Sequence, residues 1–211
     1  MIKALIFDVG GVLLLAKDTK KRTDKNLLTS YKEVCFLLED IDKTPDEIFK
    51  DTIDIYRKSS TGEISKEETL ELYSQTLGIP SKKIEELFED LYKKNVIENK
   101  GLYEFILDLK TGGYAVAILS TQFHLSKNIL IPPKYYEDFD ALEISCDDGL
   151  KKPDQKCFMS ILEKLNIKPE ESIFIDDKQE NLDAAENLGM KSLIFKDNEQ
   201  FFEDLKKLIS F

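Results

Sequence analysis

Asp8 closes the apolar run Ile2 to Phe7, Ser120 and Thr121 close Tyr114 to Leu119, and Asp176 and Asp177 close Ser172 to Ile175. Lys152 stands in the connection that follows a weaker run, Ala141 to Ser145. Each residue alone has an ordinary structural use. An aspartate or serine after a strand caps a helix or shapes a turn, and a Lys-Pro pair in a loop is commonly solvated. Their shared placement is what points to chemistry. Carboxylates that meet at one point repel one another and need a cation, and with only oxygen donors on offer a hard ion such as Mg²⁺ suits them. A hydroxyl and a lysine beside them can hold the non-bridging oxygens of a phosphoryl group. One carboxylate can then attack phosphorus and form an acyl-phosphate that water cleaves.

The elements that must position these groups are legible as a pattern. The runs at Ile2–Phe7, Tyr114–Leu119, Ala141–Ser145, Ser172–Ile175 and Lys191–Phe195 are rich in aliphatic residues without polar alternation, as in strands covered on both faces. Helix-period segments separate them at Leu102–Lys110, Asp154–Leu165, Gln179–Leu188 and Glu199–Ile209. Strands alternating with helices predict a parallel α/β sheet, in which ligands bind beyond the carboxyl ends of the strands. Residues 16–97 break the rhythm. They read as helices over about 24–41, 45–58, 65–77 and 80–96, with Ser65 and Glu68 forming a capping box. An all-helical unit at 16–97 is therefore expected within an α/β core made of 1–15 and 98–211.

The 211 residues include 30 Lys and Arg against 41 Asp and Glu, a formal charge of −11. That surplus repels nucleic-acid backbones and anionic lipid, so neither is expected as a partner. It also means that an anionic substrate needs a metal and a few focused donors to reverse the field locally. No run of about 18 apolar residues marks a membrane span, and the N-terminal apolar stretch is too short for a signal-peptide core. Cys35, Cys146 and Cys157 are odd in number and lack metal-site spacing, which predicts reduced thiols and a cytoplasmic location. His124 is the one histidine, and a surface or supporting place suits it better than a catalytic one. A monomer or weak homodimer is expected.

Phe7–Leu13 (FDVGGVL), 117–121 (AILST), 149–154 (GLKKPD) and 174–181 (FIDDKQEN) together resemble the four ordered motifs of the haloacid dehalogenase superfamily. The helical insertion after the first motif is similar to that superfamily's helical cap, and the core to its Rossmann-like sheet with helices on both faces. The 61–65 stretch (TGEIS) resembles the branch holding bacterial sugar-1-phosphatases and the phosphatase domain of soluble epoxide hydrolases. The resemblance implies a Mg²⁺-dependent phosphatase for a small phosphorylated metabolite. It implies Asp8 as nucleophile and metal ligand, Ser120 and Thr121 as phosphoryl contacts, and Lys152 as the cation neutralising Asp8 and the phosphate. Asp177 and Asp176 would be metal ligands with the Gly10 carbonyl, and Asn181 would support them.

Gly10 departs from the pattern, because phosphatases of this superfamily usually carry a second aspartate there to protonate the leaving alcohol. Loss of a general acid–base costs about 10²–10⁴ in rate. Turnover that is weak, or restricted to acidic leaving groups such as anomeric, enol or acyl oxygens, is therefore expected. A binding-only relative with a degraded site is one alternative. A haloacid-type dehalogenase is another; it lacks the second aspartate too, but it needs no metal and leaves Asp176 and Asp177 unexplained. A phosphomutase relies on the missing acid.

Overall fold

The computed structural model describes residues 1–17, 31–38 and 41–209. Its centre is a five-stranded parallel sheet in the order β5-β4-β1-β6-β7. The strands are β1 (Ala4–Phe7), β4 (Ala115–Ser120), β5 (Ala141–Ile144), β6 (Ser172–Asp176) and β7 (Lys191–Ile194). All five expected runs are strands, with β1 flanked by β4 and β6 in register Phe7–Ile118 and Phe7–Ile175. Every residue of β1 is fully buried because helices cover both faces. Leu5 and Phe7 join one core with Val116, Ile118, Ile173 and Ile175, while Ile6 joins a second with Ala117, Leu119 and Phe174. The strand period of two therefore splits one apolar run between two cores.

Helices α5 (Lys100–Thr111) and α11 (Asn198–Leu205) cover the first face through Leu102, Ile106, Phe201 and Leu205. Helices α9 (Gln155–Leu165) and α10 (Gln179–Glu186) cover the second through Phe158, Ile161, Leu162, Leu182 and Ala185. Each such side chain contributes about 1.5–3 kcal/mol when it leaves water.

The segment between β1 and β4 holds helices α1 (Tyr31–Leu37), α2 (Pro45–Ser60), α3 (Lys66–Leu77) and α4 (Ser81–Asn95). The expected helix over 24–41 falls partly outside the described residues, and α1 is the part that is described. Ser65 caps α3 with the foreseen box, its side chain accepting from the Glu68 N–H. Two short strands were not foreseen. β2 (Leu14–Ala16) and β3 (Val96–Glu98) pair antiparallel, so the chain entering the helices runs beside the chain leaving them. The expected helix over 80–96 ends at Asn95 because Val96 is drawn into that pairing. Three short helices, α6 (His124–Leu130), α7 (Pro133–Asp138) and α8 (Ser145–Asp148), were also unforeseen, and Ser145 begins α8 rather than ending a strand. Among the described residues no helix is long and apolar enough to cross a membrane.

Candidate active site

Three parallel strands end at one edge and set the site. β1 delivers Asp8, whose N–H extends the ladder to the Ile175 carbonyl at 2.9 Å. The chain then turns sharply: Gly11 adopts φ +86°, and the Gly11 N–H reaches the Leu14 carbonyl at 2.8 Å. A side chain would strain that position, which accounts for this glycine. Gly10 lies outside the left-handed region and forms an isolated bridge with Leu14. β4 ends on Ser120, and β6 ends on Asp176, so both belong to the strands rather than to the loops after them.

Lys152 lies between two of the carboxylates. Its Nζ is 2.8 Å from Asp8 Oδ1 and 2.6 Å from Asp176 Oδ2, with the lysine side chain only 3% exposed. The following Lys152–Pro153 peptide is cis. Asp176 is fully buried and further held by Asn181 Nδ2 on Oδ2 (3.0 Å) and by the Lys178 N–H on Oδ1 (2.8 Å). Asp177 completes the group: one carboxylate oxygen from each of Asp8, Asp176 and Asp177 lies within 4.8 Å of the others. With all ionised, three carboxylates face one ammonium, leaving about two negative charges in a largely buried space.

That imbalance is felt in the titration of the groups. Burial pushes the Asp8 carboxyl above the usual carboxylate range; Lys152 opposes the shift and Asp176 adds to it. Burial would depress the Lys152 ammonium, but Asp176 and then Asp8 outweigh it and hold the lysine charged. An all-oxygen, buried and electron-rich set of this kind fits a hard divalent cation.

The expected hydroxyls divide. Ser120 Oγ is buried and accepts a 2.9 Å hydrogen bond from Gln122 Nε2. Thr121 faces a cavity of about 120 Å³ that also meets Asp8, Gly10 and Lys152. Its buried Oγ1 has no hydrogen-bond partner among the described residues. An orphaned hydroxyl costs free energy unless a ligand or water completes it, so it suits a phosphoryl oxygen.

The other side of this cavity was not legible in the sequence. Tyr31 and Val34 of α1, Tyr56 of α2, Tyr92 of α4 and Phe123 line it. Helical spacing marks such residues as buried, but it does not say that they face a ligand rather than one another. Gln122, one residue beyond Thr121, was findable by its position at a strand end. His124 starts α6, and its N–H donates to Ser59 Oγ at 3.2 Å; it lies outside the cavity lining. The three cysteines are free and buried, and burial pushes their thiols up, to about 11 for Cys35 and about 12 for Cys146 and Cys157.

The chain resembles known proteins in sequence and in fold. A family model of haloacid dehalogenase-like hydrolases matches residues 2–189. Acyl-CoA dehydrogenase family member 10 of Mus musculus is 27% identical over 215 residues, covering 99% of this chain, and the chain spans only 19% of that protein. Sesquiterpene phosphatase astK of Aspergillus oryzae is 24% identical over 216 residues, covering 98% of this chain and 96% of that one. Among solved structures, a magnesium complex of a HAD family enzyme from Bacteroides thetaiotaomicron superposes with TM-score 0.76 at 20% identity, covering 97% of this chain and 98% of that one. With its motifs at one sheet edge and the family model spanning most of its length, the chain belongs to the haloacid dehalogenase-like hydrolases.

Proposed function

We propose that the protein is a Mg²⁺-dependent phosphatase of a small phosphorylated metabolite, working through an aspartyl-phosphate on Asp8. The observation that carries this reading is the buried cluster of Asp8, Asp176 and Asp177 around Lys152, whose excess negative charge matches one divalent cation. The phosphatase names among the relatives agree with it, as does the magnesium in the similar fold.

Asp8, Asp176, Asp177 and the Gly10 carbonyl are the residues that would hold the ion. When bound, the ion would polarise a phosphoryl oxygen and neutralise charge. Lys152 favours the charged form of Asp8 and orients it, and Thr121 and Ser120 serve the phosphoryl oxygens. An Asp8 carboxylate oxygen attacks phosphorus, and the bond to the leaving oxygen breaks with its electron pair. Water then attacks the acyl-phosphate, Asp8 is restored, inorganic phosphate leaves, and the net proton from water ends on the leaving oxygen. Because Gly10 supplies no proton, leaving groups with acidic oxygens are favoured over simple alcohols. Residues 16–97 act as a cap domain over the core formed by 1–15 and 98–211, a division supported by the β2–β3 pairing where the chain enters and leaves the helices.

The test is a screen of phosphorylated metabolites with Mg²⁺ beside an Asp8→Asn control. Turnover that vanishes in the variant is expected; turnover near that of the unmodified protein overturns the nucleophile. Metal-independent chloride release from a haloacid would replace the phosphatase reading with a dehalogenase.

A further inference from the structure

The cavity above Asp8 has two unlike sides. Its charged lining, Asp8, Lys152, Lys178 and Glu180, comes from the loops at the sheet edge and the first turn of α10. The helical insertion contributes Tyr31, Val34, Tyr56 and Tyr92, with no charged side chain among the described residues. These rings are arranged as a surface. Tyr31 and Tyr56 stack at 4.3 Å between centroids and 9° between planes, and Phe123 meets Tyr56 edge-on at 5.1 Å. Phe123 is braced in turn by Phe88 at 5.4 Å.

The hydroxyls in this wall are mostly committed. Tyr31 Oη lies 2.6 Å from Thr52 Oγ1 and accepts from Tyr73 Oη at 2.6 Å. The Tyr92 hydroxyl is hydrogen-bonded with Ser126. Tyr56 is different: its ring is packed on both neighbours, yet its hydroxyl has no hydrogen-bond partner among the described residues. Burial pushes that phenol up to about 12, so it remains a neutral donor across the ordinary pH range.

A sugar or polyol brings several hydroxyls that each need a partner once out of water. The helical insertion offers the Tyr56 hydroxyl, while Gln122 and Ser126 are bonded to each other and Lys178, Glu180 and Asn181 lie on the sheet-edge side. A flat conjugated group needs few partners and gains from ring contact. The cavity of about 120 Å³ is shared with the Asp8 end and opens to solvent, so the group seated against the wall must be compact and thin. We propose that this aromatic wall is the leaving-group site, and that the substrate is a phosphomonoester of a compact, planar, conjugated group whose one hydrogen-bond acceptor takes the Tyr56 hydroxyl. The inference rests on the phosphatase reading and sharpens it. Aryl and enol oxygens are also acidic leaving groups, so the wall selects the same esters that the glycine at position 10 can release without a proton donor.

Leaving-group acidity and fit to the wall are separated by non-hydrolysable phosphonates, which bind without reacting. Against the Mg²⁺-loaded full chain, phenylphosphonate is expected to inhibit at least about tenfold more tightly than 2,3-dihydroxypropylphosphonate. Tyr56→Phe keeps the stacked ring and removes only the donor. It is expected to raise KM for 4-acetylphenyl phosphate about tenfold more than for phenyl phosphate, which lacks the acceptor. Equal inhibition by the two phosphonates overturns the apolar leaving-group site, and equal KM changes overturn the role of Tyr56. If sugar phosphates are turned over as well as aryl phosphates and Asp8→Asn abolishes both, the inference fails while the phosphatase reading stands. If no phosphate ester is hydrolysed, the phosphatase reading fails and the inference falls with it.

Discussion

Lys152 is the residue on which the site's electrostatics turn. It is nearly inaccessible to water and is the ammonium that meets both Asp8 and Asp176. Replacing it with methionine keeps the bulk of the stem but leaves neighbouring buried carboxylates uncompensated. A loss of about 3–5 kcal/mol is expected in the metal-free protein, read from urea unfolding, together with loss of turnover; unchanged stability would mean that the carboxylates find compensation elsewhere. Gly10 gives the opposite experiment. Its backbone is outside the left-handed region, so its φ sets no bar to a side chain. Gly10→Asp is expected to raise kcat on an alkyl phosphate by about 10–10² relative to an aryl phosphate, since a proton donor helps only where the leaving oxygen is basic. No change in that ratio would show that protonation does not limit the reaction. At this scale the sequence was informative about Asp8, Lys152, Asp176 and Asp177, because strand ends converge in a parallel sheet whatever the detail of the loops. It was silent on Tyr31, Tyr56 and Tyr92, whose helical positions say that they are buried but not against what.

Elements were legible in proportion to their length and burial. The five sheet strands announced themselves because helices cover both faces, leaving unbroken apolar runs. β2 and β3 are three residues each, too short for a period, and become strands only through each other. α8 is four residues long and exists where the chain leaves β5 against the turn after α2. That contact is tight. Gly62 sits at φ +65°, and a Cβ there would lie 2.7 Å from the Cys146 carbonyl oxygen. Both the left-handed backbone and the close approach exclude a side chain, which explains a glycine in the 61–65 stretch. Gly62→Ala is expected to cost about 1–3 kcal/mol, seen as a lower urea midpoint, and to reduce kcat/KM as the helical insertion shifts over the cavity. A stability loss below a few tenths of a kcal/mol would mean that α8 yields freely.

For the whole molecule, the formal charge of −11 appears hostile to an anionic substrate, and the fold answers this locally by gathering acids where a cation can sit. If the cluster is a Mg²⁺ site, the ion belongs to the folded state alone, because the unfolded chain separates Asp8 from Asp176 and Asp177. Binding then stabilises by about 2.7 kcal/mol at a hundredfold excess over Kd. For a chain of this size each kcal/mol moves Tm by about 2–4 °C, so a rise of about 5–10 °C is expected. The increment also has a pH dependence with a fixed sign. Burial raises the Asp8 pKa in the metal-free fold, so the proton that Asp8 keeps is a stabilising ligand. That contribution is full below the unfolded carboxylate range, about pH 4, and is lost as pH rises through the higher folded value. Mg²⁺ requires the carboxylate and competes with that proton, so the thermal shift should be small near pH 4 and grow as pH rises past the folded Asp8 value. Differential scanning measurements with EDTA or Mg²⁺ at several pH values, repeated on Asp177→Asn, check both points. A shift that is independent of pH, or one that survives in the variant, would place the ion away from these three carboxylates.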